Sequence, residues 1–126
     1  MQKVLIRKQD EDFKIVQVEE LSLEYMQQVV GGFIERVGFN DCLNRLNIDM
    51  WINEEGKLID ELKPTFVIMG NKNNIIDLIM GDVLFTATDG EGNTIGLNDI
   101  QIQSIKKYFR KAAVLNDGTI VHIIPA

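Results

Sequence analysis

Three carboxylates are the residues best placed for chemistry. Glu54 and Glu55 stand side by side in the turn-like stretch NEEGK (53–57), and Glu35 lies in GGFIERV (31–37). If 33–37 and 48–53 pair as antiparallel strands, Glu35 approaches that turn. Three carboxylates together could hold a hard cation or a basic group, because hard cations take oxygen ligands. The plainer reading is an acidic turn facing solvent, and it is preferred.

Other chemistry-bearing residues are sparse. His122, the single histidine, falls in the alternating stretch TIVHII, where a histidine ordinarily faces solvent. Cys42 has no histidine near it in sequence and sits in an apolar pattern, which reads as a buried, inert thiol. TDGEGNTIGLND (88–99) looks like an EF-hand loop but fails the pattern. Counted from Asp89, the glycine position is Thr94 and the bidentate glutamate position is Ile100. A hairpin turn is expected there, and no metal. The sequence has no GxGxxG, Walker loop, HExxH or CxxC. KKYFRK (106–111) mixes bases with aromatics, as single-strand nucleic-acid binders do. Phe109, however, continues an apolar helical stripe, so a solvated basic helix face is the better reading.

These residues must be positioned by a small set of elements. The 126 residues suit one domain, taken as 1–126. Apolar residues at 45% and charged residues at 25% indicate a globular chain. The formal charge of -6 disfavours wrapping of duplex DNA, whose phosphates need a basic footprint. A lone cysteine permits no intrachain disulfide, and no apolar run approaches the roughly 18 residues of a membrane span. A cytoplasmic protein is expected.

KVLIR and FKIVQV flank the polar KQDED and predict a hairpin. Ser22 predicts an N-cap for a helix with Leu23, Met26, Val29 and Val30 on one face, ending at Gly31-Gly32. One glycine suffices to end a helix. The second serves a sharp reversal or a close approach to the backbone, with turn geometry preferred. Residues 39–47 predict a connector with one helical turn that turns Cys42, Leu43 and Leu46 inward. IDMWIN, TFVIM and GDVLFTATD read as strands, Pro64 as an interruption, NKNN as a loop, and IIDLIM as either a strand or a helical turn. Asn98 caps a second helix whose stripe is Ile102, Ile105, Phe109 and Ala112, with Lys106, Lys107, Arg110 and Lys111 opposite. NDG (116–118) turns the chain into a last strand. The expected fold is α+β: an antiparallel or mixed sheet of about five to six strands, with two main helices packed on one face.

LEYMQQVVGGFIERV, then WINEEGKL, then MGDVLFTATDGEGNTIGLNDIQIQSI together resemble the family called domain of unknown function 3846. Gly31, Gly32, Ile34 and Glu35 match its first motif, Asn53 to Lys57 its second, and Gly81-Asp82 its third. Thr65 follows Pro64 where the family's pattern has asparagine, and the tail from Ala113 is longer than its usual end. The family is common in phages, plasmids and other mobile elements of bacteria. The resemblance therefore implies an accessory protein of such an element, and it directs attention to the glycine pair and the acidic turn. The candidate interaction surface is Gly31, Gly32, Glu35, Asn53, Glu54, Glu55 and Lys57.

The expected function is non-enzymatic binding, with no cofactor: inhibition of a host defence protein with a basic surface, or sequestration of a small ligand. One alternative is a small nucleotide-binding or hydrolytic enzyme using Glu35, Glu54 and Glu55. Another is a structural oligomerisation module.

Overall fold

A computed structural model describes residues 1–38, 41–70, 72 and 74–125. The first sheet starts with the expected hairpin, β1 (Gln2–Arg7) and β2 (Phe13–Val18), paired antiparallel with Arg7 opposite Phe13. β3 (Ile34–Arg36) and β4 (Ile48–Asn53) form a second antiparallel pair. Between them lies the short helix α2 (Asp41–Arg45). β7 (Val83–Thr88) joins the two pairs, giving the order β2-β1-β7-β4-β3, and β8 (Thr94–Ile95) pairs with β7. All of these pairings are antiparallel.

Strand alternation divides the side chains of this sheet between two cores. Val4, Ile6 and Leu84 face helix α1 (Leu23–Val30), together with Met26 and Val30. Their neighbours Leu5, Met50, Phe85 and Ala87 face the opposite way, onto helix α3 (Asp99–Tyr108) and a second sheet. The two main helices therefore do not share one face, as the sequence suggested. Each covers one face of the first sheet, because the central strands β1 and β7 carry buried apolar side chains on both sides.

The second sheet accounts for the rest. β5 (Pro64–Met69), β6 (Ile75–Met80), β9 (Ala112–Val114) and β10 (Ile120–Pro125) lie in the order β6-β5-β10-β9. β10 runs parallel to β5, and its neighbours on the other pairings are antiparallel. Pro64 starts β5 rather than breaking it, a position where a missing N–H is tolerated. Phe66 and Ile68 of β5 and Ile124 of β10 meet Ile102 and Ile105 of α3 and its C-cap residue Phe109 in the larger core.

Several expectations need correction. α3 ends at Tyr108, so Ala112 belongs to β9, and Arg110 and Lys111 lie beyond the helix. Burial of Phe109 ended the stripe; Ala112 is exposed. Of the three residues expected to point inward, Leu43 is buried, Cys42 is half-buried and Leu46, just beyond α2, is exposed. Residues 39 and 40 of the predicted connector, and 71 and 73 of the predicted NKNN loop, lie outside the described residues. His122 does not face solvent: it is 8% exposed. Among the described residues no helix is long and apolar enough to cross a membrane.

Candidate functional site

The glycine pair divides its labour. Gly31 adopts φ 79, ψ 24, the left-handed conformation that ends α1, and its N–H bonds the carbonyl of Gln27 at 2.9 Å. A Cβ there would meet nothing within 4 Å, so its requirement is purely conformational. Gly32 differs: a Cβ at that position would lie 2.9 Å from Asn53 Nδ2. Turn geometry therefore explains the first glycine, and close approach of a side chain explains the second. The approaching group comes from the protein itself.

Asn53 links the two sequence motifs. It is 5% exposed. Its Nδ2 donates to the Val30 carbonyl at 3.1 Å, satisfying an acceptor that the end of α1 leaves open. Its Oδ1 accepts from Glu55 N–H at 2.8 Å, shaping the acidic turn. Glu54 N–H bonds the Phe33 carbonyl at 2.9 Å and extends the β3–β4 pairing into the turn. Gly56 begins a single 3-10 turn (Gly56–Leu58), and a Cβ there would meet the Met80 carbonyl at 3.2 Å. That close fit seats the turn against β6.

β3 and β4 are antiparallel with Glu35 opposite Ile52, so Glu35 does stand near the turn. Glu35, Asn53, Glu54, Glu55 and Lys57 all border one cleft of about 300 Å³, between the β3–β4 hairpin and β6. Its floor is apolar, built from Ile52, Ile68, Ile79 and Met80. Gly31 and Gly32 line an adjoining recess of about 310 Å³ that shares Asn53 and Glu55 with the cleft. Every residue of the candidate surface thus borders one continuous region.

Charges in the cleft are unevenly matched. Lys57 Nζ is paired with Asp77, whose carboxyl is held below its ordinary range by that hydrogen bond and by the N–H of Leu78. Arg36 is engaged by Asp49 at 2.9 Å and by Asn44 at 2.7 Å. Glu35, Glu54 and Glu55 are exposed and make no ion pair among the described residues. The site therefore presents a net negative rim above an apolar floor. Among the described residues, no group of three His, Cys, Asp or Glu side chains is placed to hold a metal ion.

The third motif is structural. Gly81 has φ 83 and carries the chain from β6 into β7. Thr65, standing where the family's pattern has asparagine, is fully buried and donates to the Gly81 carbonyl at 2.8 Å. Asp82 Oδ1 accepts from the N–H of Gln9 at 2.9 Å. Sequence reading did not find Asp77 or Met80 as lining residues. Their contribution depends on the register of β6 against β5, which no local pattern in IIDLIM specifies.

The profile of the family described as domain of unknown function (DUF3846) matches residues 1–110. No curated protein and no solved structure matches the chain.

Proposed function

The chain belongs to the DUF3846 family, and we propose that it is a non-enzymatic binding protein that receives a basic, partly apolar surface of a partner protein in the β3–β4/β6 cleft. One observation carries this reading: motifs far apart in sequence converge on a cleft whose free charges are all carboxylates. The polar groups that hold the site together are already satisfied by one another. Asn53 uses both ends of its amide, and Lys57 and Arg36 are paired. Glu35, Glu54 and Glu55 are left to act outward by charge. The adjacent edge strand β6 exposes Ile75 at 56% and Ile76 at 54%, and Phe33 is 67% exposed. Apolar side chains beside an acidic rim suit a partner that offers cations around an apolar anchor. An accessory role in a mobile element, such as inhibition of a host defence protein, is the form of binding that the sequence resemblance implies.

The test compares three tagged proteins in capture from a bacterial lysate, read by mass spectrometry for proteins and small molecules. These are the wild type, Glu54→Gln/Glu55→Gln and Ile76→Lys. Glutamine keeps shape and hydrogen-bonding capacity while removing charge. A protein retained by the wild type and lost from both variants supports the reading. Its association should slow with added salt, because screening weakens electrostatic steering. Identical capture by all three rejects the cleft. A small molecule bound equally by wild type and the glutamine variant, but converted only by the wild type, favours an enzyme. Association of the wild type with itself, lost in Ile76→Lys, favours the oligomerisation role.

A further inference from the structure

A second polar arrangement lies away from the cleft and uses the tail beyond the family match. Arg7 of β1 is 1% exposed. Its Nε donates to His122 Nδ1 at 3.0 Å, and its Nη2 to the Ile120 carbonyl at 2.8 Å. Its Nη1 donates to the Lys8 carbonyl. Every one of these acceptors is neutral. Asp12, Asp10 and Asp82 act on the guanidinium only at longer range, and none forms an ion pair with it among the described residues. The interior here holds a cation whose field is not cancelled at close quarters.

That arginine fixes the state of His122. A guanidinium has no acceptor and keeps its protons, so Nδ1 must present its lone pair. The neutral ring then carries its proton on Nε2. Burial, and then the charge of Arg7, hold the His122 pKa below its ordinary value, which favours that neutral ring. The side chain is 10% exposed, yet Nε2 has no hydrogen-bond acceptor among the described residues; the nearest carboxylate oxygen, on Asp12, lies 4.0 Å away. Asp12, Phe13, Lys106, Phe109, Arg110 and His122 enclose a recess of about 240 Å³. Lys106 and Arg110 are exposed and form no ion pair among the described residues. The Phe13 ring lies 4.7 Å from the imidazole and 6.3 Å from Phe109, forming an apolar wall.

We propose that this recess binds a phosphoryl group, with His122 Nε2–H as the directed donor and Lys106 and Arg110 as the neutralising charges. Arg7 acts as a positioning residue: it locks the donor tautomer and adds positive potential behind it. Asp12, whose side chain is 87% exposed, occupies the mouth as a competing carboxylate. The phosphoryl group is that of free phosphate or of a nucleotide, whose base would meet the phenylalanine wall; binding strength separates the two.

The single histidine gives one imidazole signal pair in a long-range proton–nitrogen spectrum. At neutral pH the free protein should show a protonated Nε2 and a bare Nδ1. Titration with inorganic phosphate and, separately, with adenosine monophosphate should move the Nε2 signal saturably. Tighter binding of the nucleotide identifies the nucleotide as source; equal or weaker binding identifies free phosphate. Lys106→Ala/Arg110→Ala alters two exposed side chains and should weaken binding by about tenfold or more, or 1.4 kcal/mol. Asp12→Asn should tighten it, because the competing charge is removed. A proton found on Nδ1 overturns the proposal, as does an Nε2 signal unmoved by either probe at several times about 1 mM. Binding unaffected by both sets of substitutions overturns it as well.

Discussion

Removing the Asn53 amide should uncouple the two motifs that build the cleft. In Asn53→Ala the Val30 carbonyl, buried at the end of α1, loses its donor, and Glu55 N–H loses its acceptor. A typical net hydrogen bond is worth about 1 kcal/mol, and a group left unsatisfied in the interior costs more. Glu55 is exposed, so water can replace that acceptor. The expected loss is therefore about 2 kcal/mol, most of it at Val30. For a domain of this size that corresponds to a fall in Tm of roughly 8 °C. Gly32→Ala should cost about 1 kcal/mol or more alone, since its Cβ would displace Nδ2 from 2.9 Å and break the same bond.

The two substitutions should then fail to add. Without the Asn53 amide, the alanine at 32 meets no obstacle, and Gly32 is not among the positive-φ glycines. In the Asn53→Ala background Gly32→Ala should be neutral, or stabilising by a few tenths of a kcal/mol through reduced freedom of the unfolded chain. Urea unfolding of the four proteins gives the coupling directly, with an expected interaction of about 1 kcal/mol. Additivity within about 0.5 kcal/mol would refute the claim that Gly32 exists to admit Asn53.

Gly31→Ala should lose about 1–2 kcal/mol whether or not Asn53 is present, because its penalty is the left-handed backbone alone; Gly31→Asn should recover part of that loss in the same urea assay. The pH dependence of stability should carry the signature of His122. Its pKa is lowered in the folded state by burial and then by Arg7, so the unfolded chain binds the proton more readily. Stability should hold above the ordinary histidine value near 6.5 and decline as pH falls below it. His122→Asn should flatten that segment, leaving the carboxylate transition below about pH 4 in place. Phe109→Ala should cost about 3–5 kcal/mol, since the ring is fully buried and packs against Phe13, Phe66 and Phe85. Melts in calcium, magnesium, zinc or EDTA should superimpose; a shift of several degrees with one ion would revive a metal site among Glu35, Glu54 and Glu55.

Local signals in the sequence were read well where local chemistry decides the structure. Ser22 and Asn98 cap their helices through contacts within three residues, at 3.1 Å to Tyr25 N–H and 2.8 Å to Gln101 N–H. Gly31 ends α1 by its own dihedral angles. The antiparallel pairing that brings Glu35 toward NEEGK is only a condition in the sequence, and the structure meets it. What could not be read depends on partners distant in the chain. Gly32 is explained by Asn53, and Gly56 by Met80. Nothing in GGF or EEGKL names those neighbours.

The tail shows why alternation alone misplaced His122. TIVHII alternates as a strand with one wet face would, which puts the histidine on that face. β10 is not an outer strand: it lies between β5 and β9, and the Phe13 ring covers the imidazole. A polar residue on the covered face of such a strand must find a partner or lose stability. The partner is Arg7, 115 positions away. Arg7 in turn is the last residue of KVLIR, where a basic side chain after an apolar run suggests the end of a strand reaching water. Each residue read alone looks like surface; together they share a buried hydrogen bond that satisfies Nδ1 of the imidazole. Such a pair is legible only when the parallel register of β10 on β5 is known, because that register sets which face of β10 is covered.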